Sequence, residues 1–115
     1  MATFTRVVLS GAADGTAVKV AATATAGTTI HTAHATAIDE VWLWAYNSHT
    51  ADVVLTLEWG GATAPDNNIK VTIPFLAGAV AVTPGFRLTN SLVVKAFAGT
   101  ANVITLTGYV NRITN

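Results

Sequence analysis

The sequence predicts an all-β domain, a two-sheet β-sandwich of jelly-roll type. Apolar residues recur at every second position in about eight to ten short segments, which is the spacing of half-buried strands. Gly, Pro and Asn separate these segments at intervals of roughly ten residues, and no segment keeps helical spacing for more than a turn. The number of strands favours a jelly roll, and an immunoglobulin-like sandwich is the alternative.

Length and charge predict one domain that associates with other proteins. Residues 1–115 fit a single β-sandwich domain. Hydrophobic residues make up 51% of the chain and charged residues only 10%, so few ions protect the surface against self-association. We therefore expect a homo-oligomer or a permanent place in an assembly. Six basic and six acidic residues cancel and form no basic run, so nucleic acid is not an expected partner.

The first third of the chain contains three predicted strands. Residues 3–10 alternate apolar and polar side chains, and a short strand follows at 17–21. Residues 22–29 are almost all Ala and Thr around one Gly, which predicts a loop or a sheet edge. Residues 30–38 alternate again and contain β-branched Thr, so we expect a strand over this range.

The segment 40–61 is the centre of the predicted sheet, with two strands and a turn that read as an antiparallel hairpin. Both faces of this hairpin are largely apolar, so its aromatic face needs a cover: another layer of the chain, a second subunit or a ligand. One face carries Val41, Leu43, Ala45, Val53, Leu55, Leu57 and Trp59, and the other carries Trp42, Trp44, Tyr46, Val54, Thr56 and Glu58.

Turn-forming residues divide the remainder of the chain. Residues 60–68 predict the longest loop, and 69–75 predict a strand that ends or lies at an edge because Pro74 has no amide hydrogen. A short strand around 80–82 precedes a predicted turn at Pro84-Gly85.

The chain then closes with two long predicted strands. Residues 86–88 form at most a brief bridge before the turn formers that follow. Alternating residues at 92–98 and 103–110 predict the last two strands.

Histidines next to carboxylates raise the question of a metal site. His31 and His34 lie near Asp39 and Glu40, and His49 lies in the predicted hairpin loop. Residues three apart on a strand point to opposite faces, so His31 and His34 converge on one ion only if the chain turns there. We expect no metal and no cofactor, and interpret the histidines as partly exposed polar side chains.

No catalytic motif is present in the sequence. The chain has no Cys and no nucleophile elbow, and Ser10, Ser48 and Ser91 all lie in predicted turns. Ser48 is adjacent to His49, but no acid is placed to orient the imidazole. Gly60-Gly61 follows a strand without opening a helix, as a phosphate loop requires. The sequence predicts a protein that is not an enzyme.

Trp42, Trp44 and Tyr46 are the candidate contact residues. Flat rings on a β-sandwich pack against the second sheet, fill a subunit interface or stack on sugar rings. Each ring contributes on the order of 1.5–3 kcal/mol when it is buried, so a cover is favoured. The sequence leaves all three covers open.

Two blocks and the end of the chain resemble small virion proteins of tailed bacteriophages. These are Glu-Val-Trp-Leu-Trp-Ala-Tyr-Asn at 40–47, Leu-Glu-Trp-Gly-Gly at 57–61 followed by Ala-Pro-Asp-Asn, and Gly-Tyr-Val-Asn-Arg-Ile at 108–113. The resemblance is to capsid decoration or cement proteins. It implies a non-enzymatic homo-oligomer, usually a trimer, that binds the major capsid protein on the outside of the head.

The resemblance also implies a place in the cell and leaves one alternative. A protein of this type is made in the host cytoplasm and becomes part of the virion capsid surface. The start of the chain has no signal-peptide pattern and no run of 18 apolar residues occurs, so a membrane is not expected. A carbohydrate-binding or tail- or fibre-associated module is the alternative function.

Overall fold

A computed structural model describes residues 2–114, and this part of the chain consists of β-strands joined by turns and loops, as predicted. No helix among these residues is long and apolar enough to cross a membrane. In chain order the strands are β1 (Thr3–Val7), β2 (Val18–Lys19), β3 (Thr28–Thr32), β4 (Ile38–Asn47), β5 (Val53–Trp59), β6 (Asn68–Ile73), β7 (Val80–Leu88), β8 (Val93–Ala98) and β9 (Ile104–Thr114).

The strands form two antiparallel sheets that pack face to face. Sheet A has the order β1-β9-β4-β7, with β2 also paired to β9, and sheet B has the order β3-β8-β5-β6. The pairs β1 with β9, β3 with β8, β4 with β7 and β5 with β6 are nested within one another. They make one long antiparallel ribbon, with the link from β5 to β6 at its tip, wrapped into two layers. This is the jelly-roll arrangement, so the predicted fold is confirmed.

Aliphatic side chains from both sheets fill the space between the layers. Leu43 of β4, Leu55 and Leu57 of β5 and Leu106 of β9 are all fully buried. Burial of each contributes about 1.5–3 kcal/mol relative to exposure. The alternation of apolar residues in the sequence therefore identifies the inner face of these strands correctly.

The predicted hairpin of β4 and β5 is wrong, because the two strands lie in different sheets. Leu43 and Leu55 share the interior as predicted, but they belong to opposing layers. The link at 48–52 carries the chain from one layer to the other. Asn47 organises this link, since its Oδ1 accepts the His49 N–H at 2.8 Å and its Nδ2–H donates to the Ala51 carbonyl at 3.0 Å. Period-two alternation defines the two faces of a strand but does not define its neighbour.

The strand predicted over 30–38 is also interrupted. β3 ends at Thr32, and the chain bends before β4 begins at Ile38. His34 explains the bend, because its Nδ1 accepts hydrogen bonds from the N–H groups of Thr36 at 3.1 Å and Ala37 at 3.0 Å. Hydrogen bonds from backbone to a nearby side chain replace the ladder of the sheet here.

The turn predicted at Pro84-Gly85 is wrong as well. β7 runs through both residues and pairs with β4 on each side of them. The register shifts twice along this pair, between Val41 and Trp42 and between Leu43 and Trp44. β7 is an edge strand, where the missing amide hydrogen of Pro and a local bulge are tolerated.

Candidate functional site

The outer surface of sheet A carries a cluster of aromatic side chains. Even-numbered residues of β4 point away from the core, and β9 lies beside β4 with Trp42 opposite Tyr109 and Trp44 opposite Thr107. Tyr46 lies further along the same face and is 38% exposed. We call Trp42, Trp44, Tyr46 and Tyr109 the aromatic face.

Three rings of the aromatic face pack against one another. The centroids of Trp42 and Trp44 are 6.3 Å apart with planes at 19°, and those of Trp42 and Tyr109 are 6.1 Å apart at 16°. Trp44 and Tyr109 complete the triangle at 6.0 Å. Aromatic pairs at such separations contribute about 0.5–1.5 kcal/mol beyond their burial. The rings are therefore held in position before any partner arrives.

Two neighbouring strands fix the sides of this cluster. The guanidinium of Arg6 on β1 lies 4.7 Å from the ring centroid of Tyr109, a cation–π contact. On β7, a Cβ at Gly85 would lie 2.9 Å from Cζ2 of Trp42, so the indole lies directly on the glycine backbone. The indole Nε1–H of Trp42 is buried and has no acceptor among residues 2–114. Packing alone therefore positions this ring.

The structure answers part of the question of what covers these residues. Trp42, Trp44 and Tyr46 share one face, as the alternation predicts, but sheet B packs on the opposite side of β4. The alternative in which the chain's own second sheet covers them is wrong. A partner subunit, another protein or a ligand remains as the candidate cover for these rings.

Tyr109 belongs to the aromatic face and was not among the candidate residues. The period-two pattern of the last strand places Tyr109 on a defined side of that strand. The pattern does not reveal that β9 pairs with β4. The alternating aromatic residues of β4 and the single aromatic residue of β9 were the available signal. The tertiary pairing decides that they meet.

A second cluster, polar and buried, lies on the inner side of the same sheet. Asp39 on β4 accepts hydrogen bonds at Oδ2 from Nε2 of His31 at 2.8 Å and from the His34 N–H at 3.2 Å. Arg112 on β9 forms a bidentate pair with both oxygens, with Nε at 2.8 Å from Oδ1 and Nη2 at 3.1 Å from Oδ2. The cluster connects β3, β4 and β9 across the two sheets.

Hydrogen bonding defines where the protons lie on the buried His31 and Asp39. The Ser10 N–H donates to Nδ1 of His31 at 3.0 Å, so Nδ1 carries no proton and Nε2–H is the donor to Asp39. Burial by itself raises the pKa of Asp39, but the hydrogen bonds from Arg112, His31 and the His34 N–H outweigh it and hold that pKa below 3.8. Asp39 is therefore an anion with its charge paired.

This geometry removes the reason to consider a metal at His31. Both ring nitrogens of His31 are engaged, and the imidazole of His34 is directed at the backbone of residues 36–37. Within residues 2–114 no group of three His, Cys, Asp or Glu side chains could hold an ion. The interpretation of His31 as partly exposed is wrong, since it is 1% exposed. It serves to satisfy a buried carboxylate.

A shallow pocket of about 230 Å³ lies at one end of sheet B, beside Glu58, Gly60, Ser91 and Lys95. Glu58 is 1% exposed and lies on the outer face of β5. Its carboxylate accepts hydrogen bonds from the Gly27 N–H at 2.6 Å and the Thr25 hydroxyl at 2.7 Å. The carboxylate thereby holds the loop before β3 against sheet B, which is a structural role.

Comparison of the chain with protein-family models, with curated proteins and with solved structures found no match. The function is therefore inferred from the chain's own surfaces and interior contacts, together with the sequence resemblance. The core and the buried polar cluster are explained by stability. Stability explains the aromatic face only in part, because its rings stack on one another but lie outside the core.

Proposed function

We propose that this chain is a non-enzymatic structural protein that binds other proteins through its aromatic face. On the strength of the sequence resemblance, we assign it to the capsid decoration type of tailed bacteriophages. It binds the major capsid protein on the outside of the head as a homo-oligomer and reinforces the lattice. The trimer that the resemblance implies stays a prediction.

The observation that supports this proposal is the prepacked, half-buried row of rings on the outer face of sheet A. An antiparallel sheet with one face in water normally alternates between apolar inside and polar outside. Here Trp42, Trp44 and Tyr109 take the outer positions instead. Tyr and Trp are enriched at the centres of protein interfaces, where they dominate the binding energy.

Mutual stacking prepares this surface for binding. A side chain that is free in solution loses about 0.5–1.5 kcal/mol of rotamer freedom when an interface immobilises it. The contacts of Trp42 with Trp44, Tyr109 and Gly85 have already restricted its ring. More of the apolar burial energy is then available for affinity.

Several copies acting together give the reinforcement. An oligomer that touches adjacent capsid subunits converts its second and third contacts into intramolecular events, so modest contacts sum to high avidity. Identical copies in a symmetric oligomer match the repeated units of a lattice. The low charge of the chain, 10%, is consistent with a surface that is covered in the assembly.

The test is binding to phage heads that lack this protein. Trp44→Ala is expected to weaken co-sedimentation at least about tenfold, the effect of losing a contact worth roughly 1.4 kcal/mol or more. Phe75→Ala is the matched control, because Phe75 is 48% exposed and lies after β6, outside the aromatic face. Circular dichroism confirms that both variants fold. Equal binding by Trp44→Ala and the natural chain would refute the proposal.

Carbohydrate binding is the second candidate function, as a module of a tail or fibre. The ring of Trp42 favours it, because it lies at 19° to Trp44 and 16° to Tyr109, and sugar rings stack on flat aromatic surfaces. Against it, one face of Tyr109 is occupied by Arg6. Glycan-array binding that disappears in Trp44→Ala, together with no affinity for heads, would replace the first proposal with this one.

A further inference from the structure

The edges of the two sheets are not equally protected. A sheet edge presents unpaired backbone N–H and C=O groups, and proteins cover or interrupt such edges to prevent association. The edge of β3 is covered by the chain itself. The Gly11 N–H donates to the Ile30 carbonyl at 2.9 Å, and the Thr32 N–H donates to the Ser10 hydroxyl oxygen at 2.7 Å.

Two further edges are interrupted by their sequences. β7 contains Pro84 and Gly85 and shifts register twice against β4. β6 carries exposed Lys70, and Pro74 follows its last residue. Proline, lysine and bulges are the usual devices that prevent a strand from adding to an edge.

β1 has none of these devices. It pairs with β9 in one uninterrupted register from Thr3 to Val7, and β9 is its strand neighbour in the described chain. It contains no proline, lysine or bulge, and Phe4 is 71% exposed. Its one charge, Arg6, lies on the outer face of the sheet, over the ring of Tyr109. The backbone on the free side of β1 is available to an extended strand.

We infer that β1 pairs antiparallel with β1 of a second copy, about a two-fold axis at Thr5. A free edge recognises an extended backbone, and side chains opposite each other on antiparallel strands share a face. An axis at Thr5 sets Thr5 opposite itself, Phe4 opposite Arg6 and Thr3 opposite Val7. This register pairs the whole strand and places a guanidinium beside an exposed ring.

The other symmetric registers oppose less favourable pairs of side chains. An axis at Phe4 sets Phe4 opposite itself, Thr3 opposite Thr5 and Ala2 opposite Arg6, so that no guanidinium lies beside a ring. An axis at Arg6 sets two guanidinium groups directly opposite each other, which is destabilising. The sequence of β1 is thus self-complementary in one register.

Edge-to-edge pairing makes the outer faces of the two copies continuous. Phe4 and Arg6 lie opposite Ile113 and Asn111 of β9, on the same face as Tyr109. Pairing of β1 strands therefore makes one continuous sheet, β7-β4-β9-β1-β1-β9-β4-β7, with one aromatic face in each half. The inference concerns the edge of the sheet and does not depend on what the aromatic face binds. A two-fold contact joins copies in pairs, so it predicts a dimer in place of the trimer that the sequence resemblance implies.

Disulfide trapping tests the register directly. The chain has no cysteine. A single introduced cysteine can therefore form a protein–protein disulfide only with the same cysteine of a second copy. Opposed residues on antiparallel strands have Cα atoms about 4.5–5.5 Å apart, within the range that a disulfide spans. Thr5→Cys is expected to form a covalent dimer in a glutathione buffer about tenfold faster than Thr3→Cys, which faces Val7 in the pair. Equal rates for the two variants would overturn the register.

Charge at the axis tests the contact itself. Thr5→Lys sets two ammonium groups opposite each other, and sedimentation velocity is expected to show that the dimer of the natural chain becomes a monomer. Thr72→Lys, at an exposed position on β6, is the matched control and is expected to remain dimeric. A natural chain that is monomeric, or a Thr5→Lys variant that keeps the natural mass, would overturn the inference. Trp44→Ala is expected to keep the β1 contact, so failure of the head-binding test and failure of this one are distinguishable.

Discussion

The inner face of β4 begins and ends with polar residues, Asp39 and Asn47, whereas its outer face carries Trp42, Trp44 and Tyr46. Asp39 and Asn47 are both fully buried, although they are among the most polar residues of the strand. Tyr46 on the other face is 38% exposed. On this strand the two ends of the interior are polar and the outer surface is aromatic.

The comparison teaches that hydrogen bonding, not polarity, decides what a core accepts. Asp39 is satisfied by Arg112, His31 and the His34 N–H, and Asn47 donates to the carbonyls of Ala51 and Ile73. A buried polar group is costly only when its partners are missing. The outer face meets this condition less well, because the buried indole Nε1–H of Trp42 has no acceptor among residues 2–114.

The buried ion pair is the strongest test of this contrast. Asp39→Asn is expected to lower the free energy of unfolding by about 3–5 kcal/mol, because it leaves Arg112 without its counter-charge in a partly buried position. Glu40→Gln breaks the exposed contact with Arg87 at 3.8 Å and is expected to cost under about 1 kcal/mol. Urea denaturation measures both. Equal losses would show that the two carboxylates are equivalent.

Adjacent apolar residues on the two faces provide the second test. Leu43→Ala is expected to cost about 2–5 kcal/mol, because Leu43 is fully buried between the sheets. Trp44→Ala removes a larger side chain but is expected to cost less than Leu43→Ala, since its ring lies outside the core. Thermal unfolding under identical conditions compares them. A larger loss for Trp44→Ala would mean that the outer face contributes more to folding than the inner one.

Asn47 tests the other polar end of the inner face. Asn47→Ala leaves the buried Ile73 carbonyl without the donor that now lies at 2.8 Å, and the expected cost is about 1–3 kcal/mol. Ser48→Ala removes a hydrogen bond from an exposed hydroxyl to the Val103 carbonyl and is expected to change stability by less than about 0.5 kcal/mol. Chemical denaturation of the pair decides whether burial makes the difference.

Acid sensitivity is the smallest expected effect. The pKa of Asp39 is lower in the folded chain than its ordinary 3.8, so its stabilising contribution is present above pH 3.8 and is lost as pH falls through the folded value. The natural chain is expected to lose more stability between pH 5 and pH 2 than Asp39→Asn does. Glu40→Gln is expected to follow the natural chain, and parallel curves for the natural chain and Asp39→Asn would contradict the assignment.

How much of the structure could be read from sequence depended on the range of the interaction. The faces of β4, β5 and β9 were predicted, because alternation along a strand is a local property. The hairpin of β4 and β5 was not, since the link at 48–52 can reverse the chain within one sheet or carry it to the other. His31 was assigned to the surface because its partners, Ser10 and Asp39, are distant in sequence or lie beyond the bend made by His34.

By itself, the sequence determined an all-β sandwich, the inner positions of its main strands and a surface poor in charge. These follow from side-chain chemistry and a period of two residues, which act within each strand. The tertiary structure decided which strands are neighbours, and thereby that Trp42 meets Tyr109, that Asp39 meets Arg112 and that β1 is left with a free edge. Such contacts join positions far apart in the chain, and only the folding of the ribbon into two layers brings them together.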